Sequence, residues 1–232
     1  AATGIVTQKV PADFPGTNRD IPTPEDVRRW PGFRPPSLEA ILSDLDSLEY
    51  SRNEEVIYRL REYVLNHRID EAGRADSEER LLGFLVMSKN PAARLAVCRQ
   101  LRLIGSEKSV RVLEQMLLKD ETADMARYAL EKIPGAAADM ALLGALNTVR
   151  GDAKLGVISS LGARKETAAV KPLAVLLTGQ EPAIASASAI SLGKIGGKES
   201  AAALSETYDK AQGPFKADLA SALLVCAEEC LS

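Results

Sequence analysis

Residues 187–204 read Ala187-Ser188-Ala189-Ile190-Ser191-Leu192-Gly193-Lys194-Ile195-Gly196-Gly197-Lys198-Glu199-Ser200-Ala201-Ala202-Ala203-Leu204. Apolar side chains recur three or four positions apart on both sides of a Gly-Gly pair. That is the spacing of two amphipathic helices joined by a tight turn. The first half of this pattern returns along the chain. Arg94–Leu101, Ala123–Leu130, Lys154–Leu161 and Ala185–Leu192 align without gaps, and Lys216–Leu223 falls in the same register. With the closing leucine as marker, the steps between Leu101, Leu130, Leu161, Leu192 and Leu223 are 29, 31, 31 and 31 residues.

Three positions after each marker stand Ile104, Ile133, Arg164, Ile195 and Cys226, so only Arg164 breaks an apolar series. Glycine-containing turns follow in Ile104-Gly105-Ser106, Ile133-Pro134-Gly135 and Ile195-Gly196-Gly197. A second helix comes next, marked by Val110, Leu113, Met116 and Leu117 in the first repeat and by Val170, Leu173, Leu176 and Leu177 in the third. The second repeat keeps Leu142, Ala145 and Leu146 but has Asp139 at the first position, and the fourth keeps Ala201 and Leu204. A helix-turn-helix unit of this length cannot bury its apolar face alone, so neighbours must stack into a continuous core. The expected fold is all-α: a right-handed α-solenoid of stacked antiparallel helix hairpins over residues 90–232. Alanine suits it as the best helix former, and alanine and glycine let helix backbones approach closely.

The stretch Ala187–Leu204 resembles the HEAT-repeat family, in its short bacterial form, often called phycobilisome-lyase-like. The proline-bearing second helix Ala169-Val170-Lys171-Pro172-Leu173 is similar to the family pattern as well. The likeness covers roughly 60% of the chain and concerns packing rather than chemistry, so it speaks to architecture and not to activity.

Upstream, residues 38–89 depart from the repeat and read as a divergent N-terminal capping hairpin. Leu38, Ile41, Leu42 and Leu45 recur at helical spacing. Ser51-Arg52-Asn53-Glu54 has the form of a capping box, followed by a stripe of Val56, Ile57, Leu60, Tyr63 and Val64. Asp70–Ser77 reads as a polar loop before a short helix carrying Leu81, Leu82, Leu85 and Val86. Residues 1–37 hold Pro11, Pro15, Pro22, Pro24, Pro31, Pro35 and Pro36, a density that blocks helices and favours an extended arm. Phe14, Trp30 and Phe33 in that arm favour docking, on its own solenoid or in a partner's aromatic groove.

Composition narrows the function. With 29 basic and 32 acidic residues the net charge is −3, which argues against a general nucleic-acid binder. No run of about 20 strongly apolar residues is present, so no direct membrane span is expected. The chain starts Ala1-Ala2-Thr3, a form that fits a signal-peptidase product and leans towards export. A single histidine, His67, excludes any two-histidine metal motif and leaves any Ser-His-Asp or Cys-His set to run through that residue. Its place at a helix end reads as an ordinary C-terminal cation. Cys98, Cys226 and Cys230 are too few for a disulfide framework and read as small buried apolar residues.

No catalytic, cofactor-binding or metal residue is expected, and no cofactor is implied. The expected role is a non-catalytic protein–protein interaction scaffold, or a structural subunit of a larger assembly, whose partner is another protein. The resemblance implies that second helices line the binding side, where Arg111, Glu114, Gln115, Lys171 and Tyr208 stand. The last segment, Phe215–Leu231, reads as an unpaired first helix. Phe215, Leu219, Leu223, Leu224, Val225, Cys226, Cys230 and Leu231 give it an apolar face suited to docking. The alternative that the resemblance implies is a bilin-lyase-like enzyme or chromophore chaperone. HEAT-built hydroxylases of the deoxyhypusine type use His–Glu pairs on a di-iron centre, for which one histidine is too few.

Overall fold

A computed structural model describes residues 36–49 and 52–231. The Pro-rich arm up to Pro35, with Phe14, Trp30 and Phe33, lies outside them, as does Ser51 of the expected capping box. The described residues form twelve α-helices, one 3-10 turn and no strand. The helices are α1 (Leu38–Asp46), α2 (Glu55–His67), α3 (Glu71–Met87), α4 (Pro91–Ile104), α5 (Glu107–Leu117) and α6 (Asp120–Leu130). They continue as α7 (Ala136–Leu146), α8 (Gly151–Ala163), α9 (Val170–Leu177), α10 (Pro182–Ile195), α11 (Gly197–Lys210) and α12 (Gly213–Leu231).

Two layers result. The first helices α4, α6, α8, α10 and α12 pack each on the next, while α5 touches α7 and α9 touches α11 in the second layer. Each second helix also packs on the first helix of the following repeat, as α5 does on α6 and α7 on α8. The all-α solenoid expected from the repeat is the observed architecture. Leu101, Leu130, Leu161 and Leu192 are fully buried, and Ile104, Ile133, Ile195 and Cys226 lie in the same continuous core. Leu223 is half-buried against it.

The N-terminal segment joins the same core. Helix α2 packs on α4 and α3 on α5, so α2 and α3 extend both layers by one hairpin, with α1 laid against them. Three details differ from the sequence reading. Helix α2 starts at Glu55, not after Ser51, and Asn53 instead ties the turn by accepting from the Glu49 N–H and donating to Ser47 O. Asp70–Ser77 is not a loop but the N-cap and first two turns of α3, where Asp70 accepts from the Gly73 N–H at 2.6 Å. These turns are mostly exposed and carry few apolar residues, so they give no apolar period. Val86, expected in the core, is exposed because α3 buries Ser77, Glu78, Leu81 and Leu85.

Turn chemistry varies along the array, and in the first repeat Gly105 has an ordinary φ of −59°. Gly135, Gly196 and Gly197 have φ of 99°, 72° and 82°, a region that disfavours other side chains. The third repeat has no glycine there, and Lys165 takes up φ 54° instead. Glycine matters again between first helices. A Cβ on Gly162 would stand 2.8 Å from Ser191, and one on Gly193 would stand 2.7 Å from Ala222 O. These two contacts sit at the same repeat position and set how closely α8, α10 and α12 approach.

Candidate functional site

His67 and the buried cysteines Cys98 and Cys226 are taken up by local packing. His67 stacks on Tyr63 with ring centroids 3.9 Å apart, and its Nδ1 lies 2.8 Å from Tyr63 O. A carbonyl only accepts, so Nδ1 carries the hydrogen. The residue closes α2, as its position at a helix end implied. Burial raises the Tyr63 phenol, with the Asp76 charge adding to the effect.

Cys98 is fully buried, and desolvation pushes its thiol up to about 12 against a smaller lowering by Arg94, which leaves it inert as a nucleophile. Burial also raises Cys226, followed by the effect of Cys230. Cys226 donates weakly to Gly197 O at 3.8 Å. Cys230, expected to be buried, is exposed on α12. Its position four residues on from Cys226 carries it past the edge of the packed face. Among the described residues no three His, Cys, Asp or Glu side chains converge as metal ligands.

Three polar clusters sit between repeats. The buried Glu78 carboxylate accepts from the Ser106 N–H (2.7 Å), the Ser106 hydroxyl (2.8 and 2.9 Å) and the Ser109 hydroxyl (2.5 Å), so α3 caps the start of α5. Arg102 donates to Tyr128 O at 2.8 Å, lies over the Tyr128 ring at 4.1 Å and reaches Glu131 at 3.4 Å. Glu131 also accepts from Arg127 (3.4 Å) and from the Ser160 hydroxyl (3.0 Å). In the third cluster Arg164 Nε donates to Asp139 at 2.5 Å, and Arg164 Nη1 donates to the carbonyls of Leu130, Glu131 and Ile133.

What remains open is the exposed side of the second helices. Arg111, Glu114 and Gln115 on α5 and Lys171 on α9 are exposed there, as the sequence implied. Tyr208 differs, since Lys216 Nζ stands 4.6 Å above its ring and the residue is half-buried. The sequence reading missed a groove of about 260 Å³ between α9 and α11, walled by Ala174, Leu177, Ala203, Ala211 and Phe215. Thr178, Glu206, Thr207 and Lys210 form its polar lining. Lys210 holds the Glu206 carboxyl below its ordinary 4.5, first by a 2.8 Å hydrogen bond and then by its charge. The signal was present in the alanines at 174 and 203, where small side chains leave space between neighbouring helices. Ligand pockets usually run to about 300–1,000 Å³. This open groove is nearer the size of one or two side chains of a docked segment.

The terminal helix presents less apolar surface than its composition suggested. Leu219, Ala222 and Cys226 are buried against the array, and Phe215 and Leu223 are half-buried. Their apolar character serves the chain's own core. The exposed remainder is Leu224, Val225, Cys230 and Leu231. No described helix is long and apolar enough to cross a membrane.

Two layers of helix hairpins, stacked at a step of about 31 residues, define an α-solenoid repeat protein. Residues 140–224 match the family model for HEAT repeats, and these residues are HEAT repeats. No curated protein matches the chain. Among solved structures, human deoxyhypusine hydroxylase in complex with glycerol is similar over 82% of this chain and 96% of that one, at 17% identity and a TM-score of 0.41.

Proposed function

We propose that the chain is a non-catalytic protein-interaction scaffold that docks a segment of another protein along its second helices. The observation that carries this reading is the groove between α9 and α11. Its walls are methyl and ring groups, and Glu206 and Lys210 offer one charge of each sign at the rim. Val175 on α9 is 71% exposed and Met140 on α7 is 64% exposed, which adds apolar surface to the same helix layer. Arg111, Glu114, Gln115 and Lys171 supply a mixed-sign surface that suits a protein better than a polyanion. The chain's buried thiol, its histidine and its carboxylate clusters support the reading from the other side, because each has a packing or capping role.

Native mass spectrometry of the protein taken gently from its source cells, with an absorbance spectrum of the same sample, tests this. A stoichiometric protein partner is expected. It should be lost with Ala203→Arg, which fills the groove, and with Val175→Glu, but kept with Gly83→Ala on the far helix α3. A partner retained at full level by both groove variants would sink the reading. So would a lone chain carrying a visible-absorbing adduct, which would favour the chromophore-handling alternative.

A further inference from the structure

Charge is spread unevenly along the chain. Residues 38–89 carry 12 acidic and 7 basic side chains, whereas residues 90–232 carry 16 and 17. The acidic excess therefore belongs to the N-terminal hairpin. The most exposed aromatic ring among the described residues is there too, since Tyr58 on α2 is 68% exposed. Glu55, Tyr58, Glu62 and Leu65 follow one another at spacings of three, four and three, so they share a helix face. Glu55 and Glu62 are exposed, Leu65 is half-buried, and exposed Ile69 carries the stripe past the helix end. Arg61 and Arg68 stand on one flank, and on the other Arg59 pairs with Asp44 of α1 at 2.9 Å. Tyr58 lies opposite the buried side of α2, formed by Val56, Leu60 and Val64, and α1 already covers the end of the array beside α2 and α3.

We infer that the chain's own segment Arg28–Pro35 folds back over this face and sets Trp30 against Tyr58. The segment lies outside the described residues and runs directly into Ser37, the N-cap of α1. Arg28, Arg29 and Arg34 give residues 27–37 three cations and no anion, the complement of the acidic hairpin. Trp30 and Phe33 supply rings that pack on a tyrosine, and arginine guanidinium groups stack on it as well. Pro31, Pro35 and Pro36 restrict the undocked chain, so less freedom is lost on docking.

Chain length restricts the choice of surface. Trp30 precedes Leu38 by eight residues, which span at most about 29 Å when fully extended. Glu39 pairs with Arg80 of α3 and Asp44 with Arg59 of α2, so α1 starts beside α3 and ends next to Tyr58. The nine residues of α1 rise only about 14 Å, which leaves Tyr58 within reach. The α9–α11 groove begins three helix spacings of about 8–10 Å beyond α3, at the limit of a straight chain with nothing left to turn around a helix. Val86 and Met87 on α3 are exposed and within reach, but Lys89 stands beside them and repels the arginines. A tether this short holds the segment at an effective concentration in roughly the mM range. A contact too weak to join two molecules therefore keeps the segment docked.

Trp30 is the only tryptophan in the sequence, so its fluorescence reads the contact in the full chain. In the native protein its emission should be blue-shifted from that of the urea-unfolded chain and should resist acrylamide quenching, at every protein concentration. Tyr58→Ser should return both signals towards the unfolded values while the far-UV helix signal stays that of the wild type. Arg28→Glu with Arg29→Glu should do the same, and so in part should about 1 M salt, where the screening length falls to about 3 Å. Val175→Ser, in the second-helix layer, should change neither signal. Native emission equal to that of the unfolded chain would overturn the inference. So would shielding that survives either Tyr58→Ser or the arginine pair, that Val175→Ser removes, or that appears only as the protein is concentrated or another protein is added. The scaffold reading is separate from these outcomes, because it is decided by the groove variants.

Discussion

Arg164 Nε donates to Asp139 Oδ1 at 2.5 Å, joining the two residues that interrupt the apolar pattern of the repeats. One stands where neighbouring repeats have isoleucine, the other at the first apolar position of a second helix. Arg164 also caps the end of α6 through the carbonyls of Leu130, Glu131 and Ile133. The side chains are only 10% and 20% exposed, so the pair is shielded from water.

Arg164→Ile leaves Asp139 without its cation and those carbonyls without their donor. Removing one partner of a buried pair costs about 3–5 kcal/mol, and urea unfolding should show a loss in that range. Adding Asp139→Val, which restores the apolar pattern of the other repeats, should recover a large part of it. Additive losses in the double variant would mean that the pair is not coupled.

Glu78→Ala should destabilise by about 2–4 kcal/mol, because three donors at the start of α5 lose a buried acceptor. Hydrogen exchange localises the effect. The amides of Ser106–Ser109 should lose protection before those of α10. Uniform loss along the whole array would contradict a local cap.

Two glycine-to-alanine substitutions should have opposite signs. At Gly193 the new Cβ would stand 2.7 Å from a backbone oxygen of Ala222, so α12 must shift and stability must fall. At Gly83 nothing lies within 4 Å, and the gain in helix propensity should stabilise by about 0.5–1 kcal/mol. Thermal melts of the two variants decide the matter, and equal shifts would refute the assigned contact.

The Cys98 thiol is held at about 12 in the fold, above its ordinary 9.0. The native state therefore keeps a proton that the unfolded chain releases first. Stability is full below pH 9 and falls as pH rises from about 9 towards 12, by up to about 4 kcal/mol at the top of that window. Cys98→Ala should flatten this part of the stability curve. In native protein at pH 8, a thiol reagent should label Cys230 quickly and Cys98 only on unfolding.

The hairpin array was legible because packing positions accept few alternatives. Leu101, Leu130, Leu161 and Leu192 each fill a closed space, and a polar substitute would lie unsatisfied there. Arg164 and Asp139 read as two separate faults because a repeat pattern does not show which residue answers which across 25 positions. The first turns of α3 escaped notice because exposed polar residues carry no apolar period. The groove escaped because it is made of what alanines leave empty. On α12 the sequence supplied the apolar residues but not the division between those facing inward and those facing out.

The joints between first helices are unlike at the two ends. Arg102, Glu131 and Arg127 join the early repeats through side chains with several rotatable bonds, whereas Gly162 and Gly193 bring later backbones into direct contact. Treated as a beam, the array is compliant towards its N-terminal end and stiff towards its C-terminal end. A bending load is therefore taken up at the α4–α6–α8 joints, while the α8–α10–α12 block turns as one piece and keeps its groove in shape.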